Sequence, residues 1–598
     1  MPLTASDPAV LRVGNCSGFY GDRLSAMREM LEGGPLDVLT GDYLAELTML
    51  ILGKDRMKDP STGYAKTFLA QMEQCMGLAL DKGVTVVANA GGLNPAGLAQ
   101  ALRALADRLG LTPVVVHVEG DDLTARAAEL GLGQPLAANA YLGAFGIARA
   151  LDAGADFVVT GRVTDASVVV GPAIAHFGWG RDDLDALAGA VVAGHVIECG
   201  TQATGGNFAF FTEIADLTRP GFPIAEIHAD GSSVVTKHVG TGGAVTVDTV
   251  LSQLLYEIGD ARYAGPDVTT RLDSIQLSEQ GPDRVRIEGV RGEAPPPDLK
   301  VSLNAVGGFR NEITMLIAGL DVEAKAELTR RQFEAALTVR PAELTWRLVR
   351  TDQPDAATQE QASARLTAIA RDPDGRKVGR LFSNAAVEVA LAGYPGFTTT
   401  APPGAGQAYG VFTPGYVGQD VPAHTVVLPD GARVVIAPPT TTLPLEPAGM
   451  ERSDPVEQGA ATWQRADTEA DTHQDDVVAI PLGRVFGARS GDKGGDANVG
   501  VWARSDAAFA WLERGLTFDL VRELLPETAS HAIRRTVLPN LRAVNFVVEG
   551  LLGQGVAYNA RFDPQAKGLA EWLRSRTVLL PRDLGPATAV PASSEGLR

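Results

Sequence analysis

Residues 84–110, VTVVANAGGLNPAGLAQALRALADRLG, decide the fold. A short β-branched apolar run, VTVV, is the composition of a buried strand, and the small and glycine residues after it make a loop. Asn94 and Pro95 then mark a helix start, leucines recur at helical spacing, and Gly110 is the stop signal. The next run, TPVVVHVEGDDL from Thr112, is again a strand. Strand, loop, helix, strand is the unit from which parallel sheets are built. The pattern spreads outward from there. LRVGNCSGFYGDRLSAMREMLEGG from Leu11 and PLDVLTGDYL from Pro35 repeat it upstream, and ADFVVTGRVTDASVVVGPAIAHFGW from Ala155 supplies a fourth strand and loop. In an open parallel sheet, ligands collect outside the carboxyl ends of the strands. The loops after Val13, Val87, Val116 and Val159 are therefore the places to look for chemistry.

Composition excludes several classes. A chain of 598 residues, 45% hydrophobic, can bury more than one core, and about two to four domains are expected. The formal net charge is −20, and no Lys/Arg run follows a phosphate backbone, which argues against nucleic acid and anionic membrane as partners. Cys16, Cys75 and Cys199 are too scattered for a disulfide framework or a paired-cysteine metal site, and suit a reducing compartment. The N-terminal MPLTASDPAV has no basic-then-apolar leader, and no run of eighteen apolar residues occurs. The reading is a cytoplasmic protein that assembles as a homo-oligomer, the common state of soluble enzymes.

The predicted fold class is α/β: a large N-terminal domain over 8–437, with a mostly parallel sheet in 8–207 and an α+β lobe over 208–437. In that lobe, short strands such as SSVVTKHVG, RVRIEGVRG and LKVSLNAVGG mix with a helix, VEAKAELTRRQFEAAL. Residues 438–476, rich in Pro, Thr and acids and without apolar period, read as a linker. A small α/β sandwich is expected over 477–585.

Three polar stretches carry candidate chemistry. TGRVTDAS places Arg162, Thr164 and Asp165 directly after an apolar strand. The arginine offers a planar fork for a carboxylate or phosphate, which Asp165 could hold, or the aspartate could act as a base. The structural alternative is a plain ion pair at a strand end. GHVIECGTQATGGN crowds His195, Glu198, Thr201, Gln202 and Asn207 around glycines, which suits a carboxylate or thioester carbonyl, or else a hydrogen-bonded turn. Cys199 reads as core rather than nucleophile. ANAGGLNP brings Gly92 and Asn94 to the end of the strand neighbouring Arg162 in this scheme. GARSGDKGGDAN reads as strand, glycine turn, strand, with Arg489 and Lys493 for an anionic ligand and Asp492 and Asp496 to orient the cations or move a proton. His117 with Glu119, Asp121 and Asp122 is a possible hard-metal set, so a divalent metal is left open although no metal ligand is assigned. The glycines at 14, 18 and 21 miss the dinucleotide fingerprint, and GARSGDKGG misses the phosphate loop of nucleotide triphosphatases. G-x-S-x-G and H-E-x-x-H are absent. No cofactor is predicted.

Together RVGNCSGFYGDR, ANAGGLNP, TGRVTDAS and ECGTQATGGN resemble the large N-terminal domain of the acyclic terpene utilisation A (AtuA) family, and ARSGDKGGDANVGV resembles its small ferredoxin-like C-terminal domain. The resemblance covers nearly the whole chain, and the motifs fall in one order. It implies a role in degrading acyclic terpenes such as citronellol and geraniol, through branched acyl-CoA thioesters. One departure is an extra Gly-Asp in GDKGGDAN relative to a G-D-K-G-x-N pattern, which bears on Asp496 and Asn498. The expected function is an enzyme, a lyase or hydratase acting on an acyl-CoA or related carboxylate by proton transfer and addition or elimination of water. Its catalytic candidates are Asp165, Lys493, Asp492 and Glu198. Its binding candidates are Arg162, Thr164, Gly92, Asn94, Thr201, Gln202, Asn207 and Arg489. The alternatives are a non-catalytic subunit of a terpenoid-degrading complex, and a carboxylate-activating ligase or transferase, disfavoured by the missing phosphate loop.

Overall fold

The computed structural model describes residues 9–445, 450–456 and 477–584, apart from the side chains of residues 46 and 47. The chain divides into two compact units, one of residues 1–304, 412–556 and 563–598, the other of residues 305–411 and 557–562.

At the centre of the first unit are β1 (Val10–Asn15), β2 (Val38–Gly41), β3 (Thr85–Ala88), β4 (Val115–Glu119), β5 (Ala137–Ala140) and β6 (Phe157–Thr160), followed by β7 (Pro223–His228) and β8 (Ser233–Lys237). The main sheet runs β8-β7-β1-β2-β3-β6-β4 across its middle. The steps from β1 through β2, β3 and β6 to β4 are all parallel, and the flanking pairs β1–β7 and β7–β8 are antiparallel. The molecule is thus α/β with a mostly parallel sheet. Every residue of β3 and β6 is buried, as strands covered on both faces require. Val86, Ala88, Phe157 and Val159 enter one core, while Val87 and Val158 enter the other.

Helices sort onto the two faces by origin. Three that follow β1, β2 and β3, Ala26–Gly33, Lys66–Lys82 and Pro95–Leu109, bury Met27, Met72 and Leu102 in one core. Those before and after β6, Phe145–Asp152, Ser167–Phe177 and Leu184–Ile197, bury Ile147, Val169 and Val192 in the other. The chain therefore leaves β3 toward one face and β6 toward the opposite face. That divergence falls at the carboxyl ends of two adjacent strands, the place where ligands of open sheets bind. Asn94 accepts a hydrogen bond from the Gly97 amide at 2.9 Å, and Gly110 ends the same helix with φ 70°.

The same unit holds a five-stranded antiparallel sheet in the order Met450–Ser453, Ile533–Leu538, Ala543–Val548, Asp496–Trp502, Gly487–Lys493. One face packs Ala497, Val499, Val501 and Phe546 on the helices Asp506–Gly515, Phe518–Leu524 and Leu569–Ser575. The edge strand Met450–Ser453 comes from the stretch read as linker. It pairs with Ile533–Leu538, and Arg522 donates to the Asp454 carbonyl at 2.8 Å. Residues 457–476 of that stretch lie outside the described residues.

The second unit is an antiparallel sheet of Glu343–Val349, Ser363–Asp372 and the later part of Asp298–Ala318. Helices Val322–Ala336 and Arg380–Ala392 cover it through Phe333, Phe382 and Val389.

Candidate functional site

The polar residues at the carboxyl ends of the parallel strands bond to one another. Asp42, just past β2, accepts from the Asn89 side chain beyond β3 at 2.5 Å and from the Leu44 amide at 3.1 Å. Arg162, just past β6 and 3% exposed, reaches the Leu44 carbonyl at 3.2 Å and pairs with Asp165 at 2.9 Å. Its guanidinium lies 4.2 Å from the ring centroid of Tyr141. The Arg162 amide donates to Asp121 at 2.9 Å, and Asn139 donates to the same oxygen at 2.8 Å. Burial raises the Asp121 pKa to about 7, against those hydrogen bonds. Asp42 is also pushed well above the carboxylate range, by burial and then by Asp165, with Arg162 opposing.

Helix Leu184–Ile197 ends here. Its last turn presents His195, and Glu198 follows. The Asn15 side chain at the end of β1 donates to the Glu198 carbonyl at 3.0 Å. His195 Nδ1 and Glu198 Oε1 are 3.1 Å apart, both side chains almost fully buried. Burial, then Lys493, lowers the His195 pKa to about 4. Burial, then Asp165 and Glu257, raises that of Glu198 well above its ordinary value. Burial thus keeps the imidazole uncharged at neutral pH and pushes Glu198 toward its protonated form. Glu198 Oε2 is buried with no hydrogen-bond partner among the described residues, an exception that needs a reason in a native fold.

The glycine-rich stretch is a hairpin with a two-residue turn. Gly487–Lys493 pairs with Asp496–Trp502, Lys493 opposite Asp496, and only Gly494 and Gly495 lie between. The sequence reading put the chemistry in a turn. The strands instead continue to Lys493 and Asp496, so Arg489 and Lys493 are strand residues on one face, as the period of two requires. That face meets residues 255–263. A Cβ on Gly491 would come within 2.3 Å of the Tyr256 ring, and one on Gly500 within 2.6 Å of Leu255 Cβ. The glycines let the backbone approach closely, toward protein. Arg489 bonds to Gln202 and sits 4.5 Å from the Tyr256 ring centroid. Lys493 Nζ donates to the Glu257 carbonyl at 2.6 Å and lies 5.4 Å from the Tyr263 centroid. Tyr263 in turn contacts the His195 ring. Trp502 belongs to the core of the parallel-sheet region and donates to Asp248 at 3.2 Å.

The structure thus pairs Arg162 with Asp165, Glu198 with His195 and Arg489 with Gln202, and sets Lys493 on the Tyr263 ring that contacts His195. Others are occupied locally. Asn94 spends its side chain on the helix cap and on the Ser61 and Thr62 carbonyls. Gly92 holds φ 53° beside Leu52 and the Gly63 carbonyl. The Thr164 hydroxyl bonds to Ser167 at 2.5 Å, and the Thr201 carbonyl accepts from the Gly206 amide. The Asn207 carbonyl faces Arg489 at 3.4 Å. Asp492 acts electrostatically on Tyr256. Asp496 caps the Gly550 amide at 2.8 Å. Asp42, Tyr256, Glu257 and Tyr263 were not singled out in the sequence. Only Asp42 left a local trace there, as a lone acid directly after the strand in PLDVLTGDYL.

The possible metal set does not converge. His117 meets Glu119 at 3.3 Å, Glu119 pairs with Arg433, Asp121 turns inward to Arg162 and Asn139, and Asp122 faces Arg56 at 3.5 Å. Among the described residues, no three His, Cys, Asp or Glu side chains gather so as to hold a metal ion. Nor is any helix long and apolar enough to cross a membrane.

The profile described as acyclic terpene utilisation family protein AtuA matches residues 11–428, and that of the AtuA ferredoxin-like domain matches residues 480–579. No curated protein and no solved structure matches the chain.

Proposed function

Because the chain belongs to the acyclic terpene utilisation family AtuA, we propose that it is an enzyme of acyclic terpene or branched-chain acid catabolism. Its substrate is an acyl-CoA or related carboxylate, and its chemistry is the addition or elimination of water. The observation that carries this reading is Glu198, a buried acid with an unpartnered oxygen, set on a neutral His195 and influenced by Arg162, Asp165 and Lys493. Two carboxyls in unlike surroundings, Glu198 buried and Asp165 partly exposed, are the pairing that acid–base elimination uses.

In the elimination direction, Arg162 and Lys493 receive the substrate carboxylate or thioester oxygen, where charge develops. Asp165, its side chain 29% exposed and oriented by Arg162, takes the proton from the carbon next to the carbonyl. The electron pair of that C–H bond becomes the new C=C bond. Glu198 gives its proton to the departing hydroxyl as the C–O bond breaks, and water leaves. Hydration is the reverse.

The test uses a branched 3-hydroxyacyl-CoA and its enoyl counterpart with the full chain in D2O, followed by mass spectrometry. Deuterium entry next to the carbonyl, with interconversion of the two thioesters, is expected. Glu198→Gln should slow it by about a hundredfold or more. No exchange by the unmodified protein, or full exchange by the variant, overturns the assignment. Assembly as a homo-oligomer belongs to the same proposal, and a monomeric mass by light scattering would remove it.

A further inference from the structure

The sheet of the second unit has one apolar and one basic face. Ile313, Met315, Leu366, Ala368 and Ala370 enter the core under its helices. Successive side chains on a strand alternate, so Arg310, Arg347 and Arg371 stand on the opposite face. Arg310 and Arg371 are directly opposed across one strand pair, and Arg347 lies on the strand beyond Arg371. Like charges set opposite each other destabilise a sheet. The exposed Arg365 shares this face, where the acids of these strands are Glu343 and Glu312, both exposed.

The three guanidiniums converge on three consecutive residues. Arg371 Nη1 donates to the Tyr558 carbonyl at 2.8 Å, Arg310 Nη1 to that of Asn559 at 3.1 Å, and Arg347 Nη1 to that of Ala560 at 2.9 Å. Neighbouring Cα atoms are about 3.8 Å apart, so the three bonded nitrogens lie within about 13 Å of one another. Among the described residues, only Arg371 of the three also pairs with a carboxylate, that of Glu343. Two tyrosines stand beside them. The Arg371 guanidinium is 4.3 Å from the Tyr558 ring centroid, and the Tyr409 ring is 6.0 Å from that of Tyr558. Gly307 makes room for the second ring: a Cβ there would lie 2.6 Å from Tyr409 Cε2.

A carbonyl occupies one of the five N–H groups of a guanidinium and neutralises none of its charge. Holding a short segment of chain to the sheet therefore does not account for three cations gathered in a chain of net charge −20. A multiply charged anion does. The planar forks match phosphate oxygens two at a time, and tyrosine rings stack on a base. The geometry points to a polyphosphate site on this face, for the phosphates of coenzyme A or for free pyrophosphate, with Arg310, Arg347 and Arg371 as its cations. The carbonyls of residues 558–560 hold the three side chains in place, and their remaining N–H groups take the anion. The site is independent of the acid–base reading, because binding rather than turnover tests it.

Calorimetry on the full chain is run with coenzyme A, with adenosine 3′,5′-bisphosphate and with inorganic pyrophosphate. Binding that weakens as salt is added is expected. Coenzyme A and the bisphosphate binding about tenfold or more tighter than pyrophosphate would assign the site to the nucleotide, and equal binding would assign it to the phosphates alone. Either result sustains it. Arg310→Gln combined with Arg347→Gln keeps an N–H for each carbonyl but removes both charges. It should weaken bisphosphate and pyrophosphate binding about tenfold or more and leave Tm within a few degrees. Glu343→Gln, which frees Arg371, should tighten binding severalfold. No binding of any of the three compounds, or affinity for the bisphosphate and pyrophosphate unchanged in the double variant, overturns the site. If the double variant does not fold, Glu343→Gln decides, and unchanged or weaker binding there overturns the site as well. Binding without deuterium exchange leaves the site and removes the proposed function, and exchange without binding of these compounds does the reverse.

Discussion

The loops after β3 and β6 leave adjacent parallel strands at the same end of the sheet, yet they do different work. After β3 the chain enters a helix at Pro95, and the Asn94 side chain is consumed by the cap and by two carbonyls. Gly91 is there because the strands come close: a Cβ would lie 2.4 Å from the Thr160 carbonyl oxygen. After β6 the backbone amide of Arg162 is satisfied by Asp121, which leaves its side chain to join Leu44, Asp165 and Tyr141. A polar residue at a strand end is available for chemistry when other groups have satisfied the local backbone. Where it must do that itself, it is structure.

Substitutions at the two loops should separate sharply. Arg162→Met removes the buried cation that pairs with Asp165 and opposes the upward shifts of Asp42 and Glu198, and should cost about 3–5 kcal/mol, as breaking a buried pair does. Denaturant unfolding checks it, and a loss below about 1 kcal/mol would place Arg162 with Asn94 rather than against it.

The next effect is one of pH. The folded pKa of His195, about 4, lies below its unfolded value near 6.5, so the unfolded chain binds more protons between those limits. Its contribution to stability is whole above pH 6.5 and falls away as pH drops toward 4. Asp121, raised to about 7, has the opposite sign: it favours the folded state at low pH and loses that contribution as pH rises through 7. Between pH 7 and pH 5, His195→Gln should therefore lose about 2 kcal/mol less stability than the parent. Identical pH profiles of Tm would deny that His195 is held neutral.

Lys493→Ala is smaller again. Removal of a cation beside the ligand should weaken binding of a branched acyl-CoA about tenfold, or roughly 1.4 kcal/mol, measured by calorimetry. Because Lys493 also holds the Glu257 carbonyl, a Tm drop of a few degrees should accompany it. An unaltered Kd with the same Tm drop would make the hairpin purely structural. Smallest is Asn94→Ala, about 1 kcal/mol as for an ordinary lost cap, with ligand binding unchanged. Any loss of affinity there would return the β3 loop to the site.

The sequence revealed what is local. The strand–loop–helix order, the Asn94–Pro95 start and the Gly110 stop follow from propensity and capping, which act over a few residues. Arg162 with Asp165 and His195 with Glu198 were visible because each pair is three residues apart on adjoining or helical backbone. Tyr256 and Glu257 were not, since they matter through a hairpin far along the chain. The glycines of that hairpin looked like room for a ligand. Gly491 and Gly500 instead make room for Tyr256 and Leu255, and sequence alone names no such distant partner.

The strand Met450–Ser453 bears on how the chain can be cut. It is the outer strand of the C-terminal sheet and is held by more than its ladder: Glu451 pairs with Arg535 at 3.0 Å, and Val456 donates to the Ala529 carbonyl at 3.0 Å. A fragment beginning at Val477, just before residues 480–579 that the ferredoxin-like profile matches, would lose it and bare the amide groups of Ile533–Leu538 as a template for pairing between molecules. It would also expose Trp502, which is fully buried in the intact chain. The C-terminal domain as a piece of sequence is therefore not a piece of folded matter. Its sheet is finished by residues from one side of the break and its other face by residues from much earlier, so gene fragments that respect the family boundary should give insoluble protein.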